Sequence, residues 1–428
     1  MIWTITLGDG TGMLLHTAAL AADGSIYVGT WDNYSPYDGF SKIVDEGPQA
    51  SVAWTFPMRR VLASPTITPD GLIVVGGLHE TDGSGYFALE DLGTTYTLAW
   101  VAGQLADPGD PNSTGAIGSS PALTPDGNWL LGGSYDNATF WQIETLTGVE
   151  TARLALDYYC YAPSPVVSED GFAFVGEGMS FSQPDNDTQG KLYAFEPDEF
   201  GTLSILDSTP LYAGHLNSGT AALTRRANGE LRLYVPANGF GHAAAALIAL
   251  DFDPDAPYQE PPQPALTERW RVSLGGSAVS YSQAVVTQDD IVCVLEPADH
   301  RLRAIRGGED QPVGLWALAL TDITRVTDWQ PSGQRGPQGI TIGPDGTLYW
   351  NAIDGYLYAI RGWLSGDLDA DGLLTTQDLY QLAVVLAEPE QYELQYPEID
   401  AQAIADLNAD GRLDFFDLSR LIELLAAG

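Results

Sequence analysis

Short runs of alternating apolar and polar residues recur along most of this chain, and a turn separates the two runs of each pair. A clear example is ASPTITPDGLIVVGG at 63–77, where two alternating runs flank the turn Asp70-Gly71. A period of two is typical of strands that bury one face, and Asp-Gly between two such runs is a strong signal for a β-hairpin. The phrases of this kind lie at 16–30, 63–77, 119–133, 163–177, 220–236, 282–296 and 338–352. The pattern therefore predicts seven hairpins.

Two more apolar runs follow most hairpins, so that each repeat contains roughly four short strands. The third run is exemplified by GYFALE at 85–90, and the fourth frequently contains a tryptophan, as in LAWVA at 98–102. Repeats of about 40–60 residues with four strands are typical of β-propellers, in which radial repetition leaves few exposed sheet edges. We therefore predict a mainly β chain, with a seven-bladed β-propeller over residues 1–362.

The last repeat predicts how the ring closes. It stops near Gly362 without a tryptophan strand, whereas residues 2–7 (IWTITL) have the character of that missing strand. An open sheet edge is prone to pair with other chains. We therefore expect residues 2–7 to complete the last blade and to close the ring.

This repeat resembles the PQQ-like, or quinoprotein-like, β-propeller superfamily across about 360 residues. The resemblance rests on the Asp-Gly hairpins, the Ala-Leu or Ala-Ile third strand and the trailing tryptophan. It implies a fold and not a chemistry, because propellers carry many unrelated functions. Quinone-dependent members carry two adjacent cysteines near the cofactor, whereas Cys160 lies between Tyr159 and Tyr161. No quinone cofactor is expected, and Cys160 and Cys293 are interpreted as buried small apolar residues.

A different pattern, typical of calcium-binding loops, occurs twice near the end of the chain. Oxygen-bearing side chains stand at loop positions 1, 3 and 5, glycine at 6, a backbone carbonyl ligand at 7, a water-mediated ligand at 9 and a carboxylate at 12. The first loop supplies Asp367, Asp369, Asp371, Leu373, Thr375 and Asp378. The second loop supplies Asp406, Asn408, Asp410, Arg412, Asp414 and Asp417. Each loop is followed by apolar residues at helical spacing, so the sequence predicts two calcium ions in a small α-helical module at 363–428.

Residues 364–428 resemble the type I dockerin family, because no helix precedes the first loop and aspartate, not glutamate, ends both loops. The resemblance implies two calcium ions and docking onto a cohesin module through loop positions 10 and 11. Those positions are Thr376 and Gln377 in the first loop, and Phe415 and Phe416 in the second. The two pairs differ, so one docking orientation is expected. Either phenylalanine can instead pack against the first helix, and the connection at 388–405 is longer than is usual in the family.

A third acidic stretch contains Asp251, Asp253 and Asp255, spaced like the first half of a calcium loop. Pro254 and Ala256 replace the flexible spacer and the turn glycine of such a loop. We interpret this stretch as a solvated acidic loop without a metal.

The charge of the chain restricts its partners. It has 57 acidic and 18 basic residues, a formal net charge of −39, which repels nucleic acid and anionic membrane surfaces. No run of 18 apolar residues occurs, so membrane insertion is not expected, and no signal peptide is visible. The dockerin-like module nevertheless favours an extracellular or cell-surface location.

Two classes of function remain open. The first is a non-catalytic interaction or scaffold protein that docks onto a cohesin-like module or onto another copy of itself, head to tail, into a filament. The connector of only four residues, 363–366, favours such a fixed contact. The second is a polysaccharide-active enzyme, a hydrolase or a lyase, that the module recruits to a cohesin scaffold. The enzyme requires acidic and aromatic residues that converge at one mouth of the propeller, whereas the scaffold requires a module face that a second chain buries.

Overall fold

The chain divides into two compact units. The first comprises Met1–Ile342 with Tyr349–Tyr358, and the second comprises Gly343–Leu348 with Ala359–Gly428. The computed structural model describes residues 7, 18–30, 39–46, 49–61, 63–79, 83–103, 119–134, 138–157, 164–177, 189–197, 202–213, 220–226, 228–237, 245–275, 284–287, 290–296, 301–307, 311–319, 339–342, 348–351, 357–360, 366–369, 375–396, 401–408 and 412–427. The predicted boundary between residues 362 and 363 and most of the predicted closing strand at 2–7 lie outside the described residues.

The first sheet has eight antiparallel strands and contains the first two repeats. Its strands are β1 (Ala19–Leu20), β2 (Ile26–Gly29), β3 (Gly39–Asp45), β4 (Ala50–Val61), β5 (Thr66–Ile67), β6 (Ile73–His79), β7 (Gly83–Asp91) and β8 (Tyr96–Ala102). They pair in the order β1-β2-β3-β4-β6-β7-β8, with β5 beside β6. The two repeats are joined because β4 extends far enough to pair with β6, with Met58 opposite His79.

Four sheets of four antiparallel strands follow, one for each of the next four repeats. Their strands are β9 (Ala122–Leu123), β10 (Trp129–Gly133), β11 (Thr139–Glu144), β12 (Glu150–Ala155), β13 (Val166–Val167), β14 (Ala173–Gly176), β15 (Gln189–Pro197), β16 (Leu203–Ala213), β17 (Ala222–Arg225), β18 (Leu231–Ala237), β19 (Ala246–Phe252), β20 (Leu266–Ser273), β21 (Val285–Val286), β22 (Ile291–Glu296), β23 (Arg301–Arg306) and β24 (Val313–Ala319). A sheet of three strands contains β25 (Gly339–Ile342), β26 (Leu348–Asn351) and β27 (Leu357–Ile360). A 3₁₀ helix spans Ala256–Tyr258.

The hairpin turns of the first five repeats form as the sequence indicates, whereas the turn of the seventh repeat lies outside the described residues. In the turn at Asp70-Gly71, Gly71 has a φ of +88° and its N–H donates to the carbonyl of Thr68 at 2.9 Å. Glycine adopts a positive φ at little steric cost, which is why it occupies this position. Where the sixth repeat has Asp289-Asp290, Asp290 itself takes a φ of +63°. Aspartate tolerates the left-handed conformation better than most residues, so Asp290 can occupy this position in place of glycine.

Hydrogen bonds from the fourth strands connect neighbouring repeats. Each involves a tryptophan indole N–H that donates to an oxygen atom of the following repeat, and burial of the ring leaves that N–H in need of a partner. The pairs are Trp54 to Asp91 Oδ1 at 2.8 Å, Trp100 to the Thr145 carbonyl at 2.9 Å, and Trp270 to the Gly307 carbonyl at 3.2 Å. The recurrent tryptophan of the sequence therefore links successive repeats.

The small polar residues near the start of the second to fifth hairpin phrases have a related role. The Ser64 N–H donates to Ser120 Oγ at 2.8 Å, and the Ser120 N–H donates to Ser164 Oγ at 3.1 Å. The Ser164 N–H in turn donates to Thr220 Oγ1 at 3.1 Å. These backbone groups precede the short first strands, which have few ladder partners of their own. A hydroxyl at this position of one repeat therefore satisfies the backbone of the repeat before it.

The acidic stretch at 251–255 corrects one interpretation from the sequence. Asp253 and Asp255 are exposed as expected, but Asp251 is only 8% exposed. Its carboxylate accepts two hydrogen bonds from the buried guanidinium of Arg232, at 2.6 and 3.1 Å, and a third from Arg269. Arg232 stands directly opposite Asp251 on the neighbouring strand, so the pair is buried together. The prediction of a solvated loop is therefore wrong for Asp251.

Of the two cysteines, Cys293 lies among the described residues. It is a buried free thiol, as expected, and burial raises its pKa to about 11. Cys160 lies outside the described residues.

The second unit is helical and small. Its helices are α1 (Thr376–Ala387), α2 (Pro389–Gln395), α3 (Ala401–Ala405) and α4 (Phe415–Ala427). The apolar residues at helical spacing in α1 and α4 meet in one cluster that also includes α2 and α3. The buried members of this cluster are Leu368, Leu382, Val385, Tyr392, Ile404, Ala405 and Leu421. None of the described helices is both long and apolar enough to cross a bilayer.

Candidate metal centre

Three carboxylates of the first predicted calcium loop lie together. Asp367 is 2% exposed, Asp378 is fully buried and Asp369 is half-buried. One carboxylate oxygen from each lies within 4.8 Å of the other two. Buried like charges at this separation repel one another strongly, and a bound cation removes that repulsion. Carboxylate oxygens are the ligands that hard cations prefer.

The start of α1 holds Asp378 in place. Thr375 is the N-cap: its hydroxyl accepts from the Gln377 N–H at 3.1 Å, and its own N–H donates to Asp378 Oδ2 at 2.7 Å. The other oxygen, Oδ1, accepts from the Leu368 N–H at 2.8 Å. Asp378 therefore joins the beginning of the loop to the beginning of the helix, and this brings loop positions 1 and 3 close to position 12.

The second loop makes the equivalent hydrogen bonds. The N–H of Leu407, at position 2, donates to Asp417 Oδ1 at 2.9 Å. The N–H of Asp414, at position 9, donates to Asp417 Oδ2 at 2.9 Å, and its side chain accepts from the Phe416 N–H at 2.8 Å. Asp417 is fully buried, like Asp378. The two loops therefore share one local structure.

The predicted ligands of the two loops differ at position 3, where the first loop has the carboxylate of Asp369 and the second has the amide of Asn408. Asp371, Leu373 and Asp410 lie outside the described residues. Asp406 and Asp414 are half-buried, whereas Asn408 and Arg412 are exposed. Within the described part of the chain, a group of three acidic side chains at metal-binding separation occurs in the first loop and not in the second. Position 3 of the second loop is an amide, so only positions 1 and 12 of the equivalent trio are acidic.

Two tyrosines near the first loop were not among the predicted site residues: Tyr392 lies on α2, and Tyr396 is the C-cap of that helix. The buried Tyr392 hydroxyl donates to the Leu368 carbonyl at 2.7 Å, and the Tyr392 and Tyr396 rings lie 5.1 Å apart. Burial, reinforced by the neighbouring Tyr396 hydroxyl and then by the carboxylates of the first loop, raises the pKa of Tyr392. Burial and the nearby Asp369 carboxylate likewise raise the pKa of Tyr396. The spacing of four between the tyrosines was the available signal, since it places both on one face of a helix.

All four predicted recognition residues are exposed. Thr376 and Gln377 begin α1, and Phe415 and Phe416 begin α4 with 70% and 69% of their surface exposed. Neither phenylalanine packs against the first helix, so that alternative is wrong. Ile422, further along α4, is 50% exposed. The result is an exposed apolar face on the helix that follows the second loop.

No protein-family model and no curated protein matches the chain. Its structure is similar to BamB from Moraxella catarrhalis, with 14% identity, coverage of 84% of this chain and 85% of that chain, and a TM-score of 0.51. The large unit is a β-propeller. Hydrazine synthase from Kuenenia stuttgartiensis is similar at 11% identity over 84% of this chain and 98% of that one, with a TM-score of 0.49. The periplasmic gluconolactonase PpgL from Pseudomonas aeruginosa is similar at 15% identity over 71% and 85%, with a TM-score of 0.47.

The likeness to BamB agrees with the PQQ-like repeat that the sequence predicts. At 14% identity it shows the fold of the β-propeller and nothing of its chemistry.

Proposed function

We propose that this protein is an extracellular, non-catalytic interaction protein whose dockerin-like module binds two calcium ions and docks onto a partner. The observation that carries the proposal is the duplicated loop. In both copies the position-12 aspartate is fully buried and accepts hydrogen bonds from the backbone at positions 2 and 9. A sequence pattern that recurs with the same hydrogen bonds supports a common ligand for the two loops.

Calcium has a structural role in this proposal. Asp367, Asp369 and Asp378 hold the first ion together with Asp371, the Leu373 carbonyl and a water on Thr375, as the loop pattern predicts. The equivalent positions, from Asp406 to Asp417, hold the second ion. A module with so small an apolar core gains folding free energy from each ion, because the loops bring acidic side chains together only in the folded state.

The partner is a cohesin-like module or another copy of this chain. Support comes from the exposed apolar face of α4, since large apolar side chains that face water in a group mark interaction sites. Thr376 and Gln377 on α1 differ from Phe415 and Phe416 on α4, which favours a single docking orientation. In this proposal the propeller is seven-bladed, and it is the rigid body that the module attaches to its partner.

Calcium titration of the full chain tests the metal half of the proposal. We expect two calcium equivalents by calorimetry, and terbium luminescence sensitised by Tyr392 and Tyr396 beside the first loop. Asp369→Ala removes one ligand and leaves the Asp378 hydrogen bonds intact, so it should weaken one site at least about tenfold. Asp253→Ala, an exposed acidic residue of the propeller, is the matched control. Equal calcium affinity in the wild type and in Asp369→Ala would contradict the proposal.

Binding to candidate partners tests the docking half. The calcium-loaded chain is mixed with a panel of cohesin modules, and separately with itself, and complexes are measured by sedimentation velocity and electron microscopy. We expect Phe415→Ala/Phe416→Ala to abolish binding without changing calcium affinity. Complexes that persist in excess chelator would refute calcium-dependent docking. The alternative of a polysaccharide-active enzyme stays a prediction from the sequence, and turnover of a polysaccharide by the isolated chain would favour it.

A further inference from the structure

The long connection at 388–405 contacts the first calcium loop on two sides. It folds as α2 and α3. From α2, the Tyr392 hydroxyl donates to the carbonyl of Leu368, which is fully buried, at 2.7 Å. In α3, the Ile404 carbonyl accepts from the N–H of Gly366, which directly precedes the loop, at 2.9 Å. The connection therefore fixes the backbone at the start of the first loop.

Equivalent residues of the two loops differ in burial. At position 1, Asp367 is 2% exposed, whereas Asp406 is half-buried. At position 2 the leucine of the first loop is fully buried, whereas Leu407 is half-buried. At position 3, Asp369 is half-buried, whereas Asn408 is exposed. Charges interact more strongly where water is excluded, so a cation gains more binding free energy in the first loop than in the second.

The two loops also place their charges differently. Each contains four aspartates, and in the first loop all four stand at positions 1, 3, 5 and 12, which ligate calcium directly. In the second loop one of the four is Asp414 at position 9, where the ligand acts through water, and position 3 is the amide of Asn408. Arg412 at position 7 adds a positive charge to the second loop. Calcium affinity depends on the charge of the ligands and on the rigidity of the loop, and both favour the first loop.

The second loop contains the exposed apolar residues of the predicted docking face. Phe415 and Phe416 are its positions 10 and 11, so they lie between Asp414 and Asp417. Asp414 Oδ1 accepts from the Phe416 N–H at 2.8 Å, and Asp417 Oδ1 accepts from the Leu407 N–H at 2.9 Å. The closed loop therefore fixes the backbone of both phenylalanines. Repulsion among the aspartates opposes this closure when no cation is bound.

We propose that the two loops bind calcium with unequal affinity and have separate roles. The first loop binds calcium tightly and keeps the module folded, whereas the second binds at least about tenfold more weakly and arranges Phe415 and Phe416 for docking. The inference rests on the proposed calcium-dependent docking function and names how that function is regulated. At a calcium concentration between the two dissociation constants, the module is folded but its docking face is not arranged to bind a partner.

Calorimetry of the full chain with calcium measures the two affinities, and terbium luminescence assigns the tighter one to a loop. Tyr392 lies beside the first loop, and the sequence at 397–428 contains no tyrosine. Luminescence that is excited through tyrosine therefore reports mainly on the first loop. We expect it to rise with the first equivalent of terbium and to change little with the second.

Two reciprocal variants of the full chain exchange the residue type at position 3. Asn408→Asp gives the second loop a carboxylate at this position, and should strengthen the weaker calcium site about tenfold without changing the stronger one. Asp369→Asn gives the first loop an amide, and should weaken the stronger site and lower the luminescence at one equivalent of terbium. Each variant is the matched control for the other, and circular dichroism reports whether both fold.

Hydrogen exchange measured by mass spectrometry tests the separate roles. At a calcium concentration between the two dissociation constants, we expect protection of peptides from α1, whereas peptides from the start of α4 become protected only above both constants. In Asn408→Asp, the α4 peptides should become protected at about tenfold lower calcium. Equal affinities, a tighter site that tyrosine does not sensitise, or protection of both helices at one calcium concentration would overturn this inference and leave calcium-dependent docking standing. Absence of calcium binding would refute the proposed function, and this inference with it.

Discussion

Tyr392 provides a direct test of how α2 supports the first calcium loop. Its hydroxyl donates to the carbonyl of Leu368, loop position 2, at 2.7 Å, and both residues are at most 1% exposed. Tyr392→Phe removes one oxygen atom and leaves the ring in place. The buried carbonyl of Leu368 then has no hydrogen-bond donor from this residue. A buried group that loses its partner costs about 1–3 kcal/mol. Because the loop closes around calcium only in the folded state, the same free energy appears in the calcium affinity, as a loss of about 5- to 140-fold at the first site.

Calorimetry and terbium titration of the full chain measure this loss. Tyr396→Phe is the matched control, because the contacts of the Tyr396 hydroxyl with described residues are longer, 3.3 Å to Gln381 and 3.2 Å to Gln395. The second loop is an internal reference, and its affinity should not change. If Tyr392→Phe and Tyr396→Phe bind calcium as tightly as the wild type, the hydrogen bond to Leu368 does not stabilise the loop and the reasoning fails.

Three other predictions concern the propeller. Arg232→Met leaves the buried Asp251 carboxylate without its two-point partner, and should lower the free energy of unfolding in urea by about 3–5 kcal/mol. Burial raises the pKa of Asp91, but hydrogen bonds from Lys42 and two aromatic side chains more than offset this and hold it below 3.8. The Asp91 carboxylate therefore stabilises the folded protein fully at a pH above its pKa in the unfolded chain, and this stabilisation is lost as the pH falls through its lower pKa in the folded protein. The difference in Tm between the wild type and Asp91→Asn should consequently shrink below about pH 4. The pKa of about 11 keeps the buried Cys293 protonated, so in a variant that lacks the other cysteine its thiol should react with Ellman's reagent at pH 8 only after unfolding.

The features that the sequence predicted well are those encoded within short segments. Alternating runs around Asp70-Gly71 specify a hairpin wherever they occur, because period, turn residue and strand length are local properties. The spacing of Asp367, Asp369 and Asp378 likewise brought three carboxylates together, since one loop of chain contains them all. Exposure of Phe415 and Phe416 was left open by the sequence, because an apolar side chain at a helix start packs or not according to its neighbours.

The features that the sequence did not reveal depend on residues far apart in the chain. Asp251 was misread because its partner Arg232 lies 19 residues away on another strand, and Arg232 also donates to the carbonyl of Gly307, 75 residues away. The sequence of residues 251–255 alone does not indicate that Arg232 pairs with Asp251. Burial of a charge is decided by the whole set of surrounding strands and not by the segment that carries it.

By itself, the sequence therefore determined the repeat, its hairpins and the two loops, since each is a pattern of spacing along a continuous stretch. Tertiary structure alone decided which charges are buried in pairs and that α2 supports the first loop through Tyr392. The physical reason is that strand register and sheet order place side chains side by side irrespective of their separation in sequence. Periodicity specifies which face of an element is apolar, and only packing specifies what that face meets.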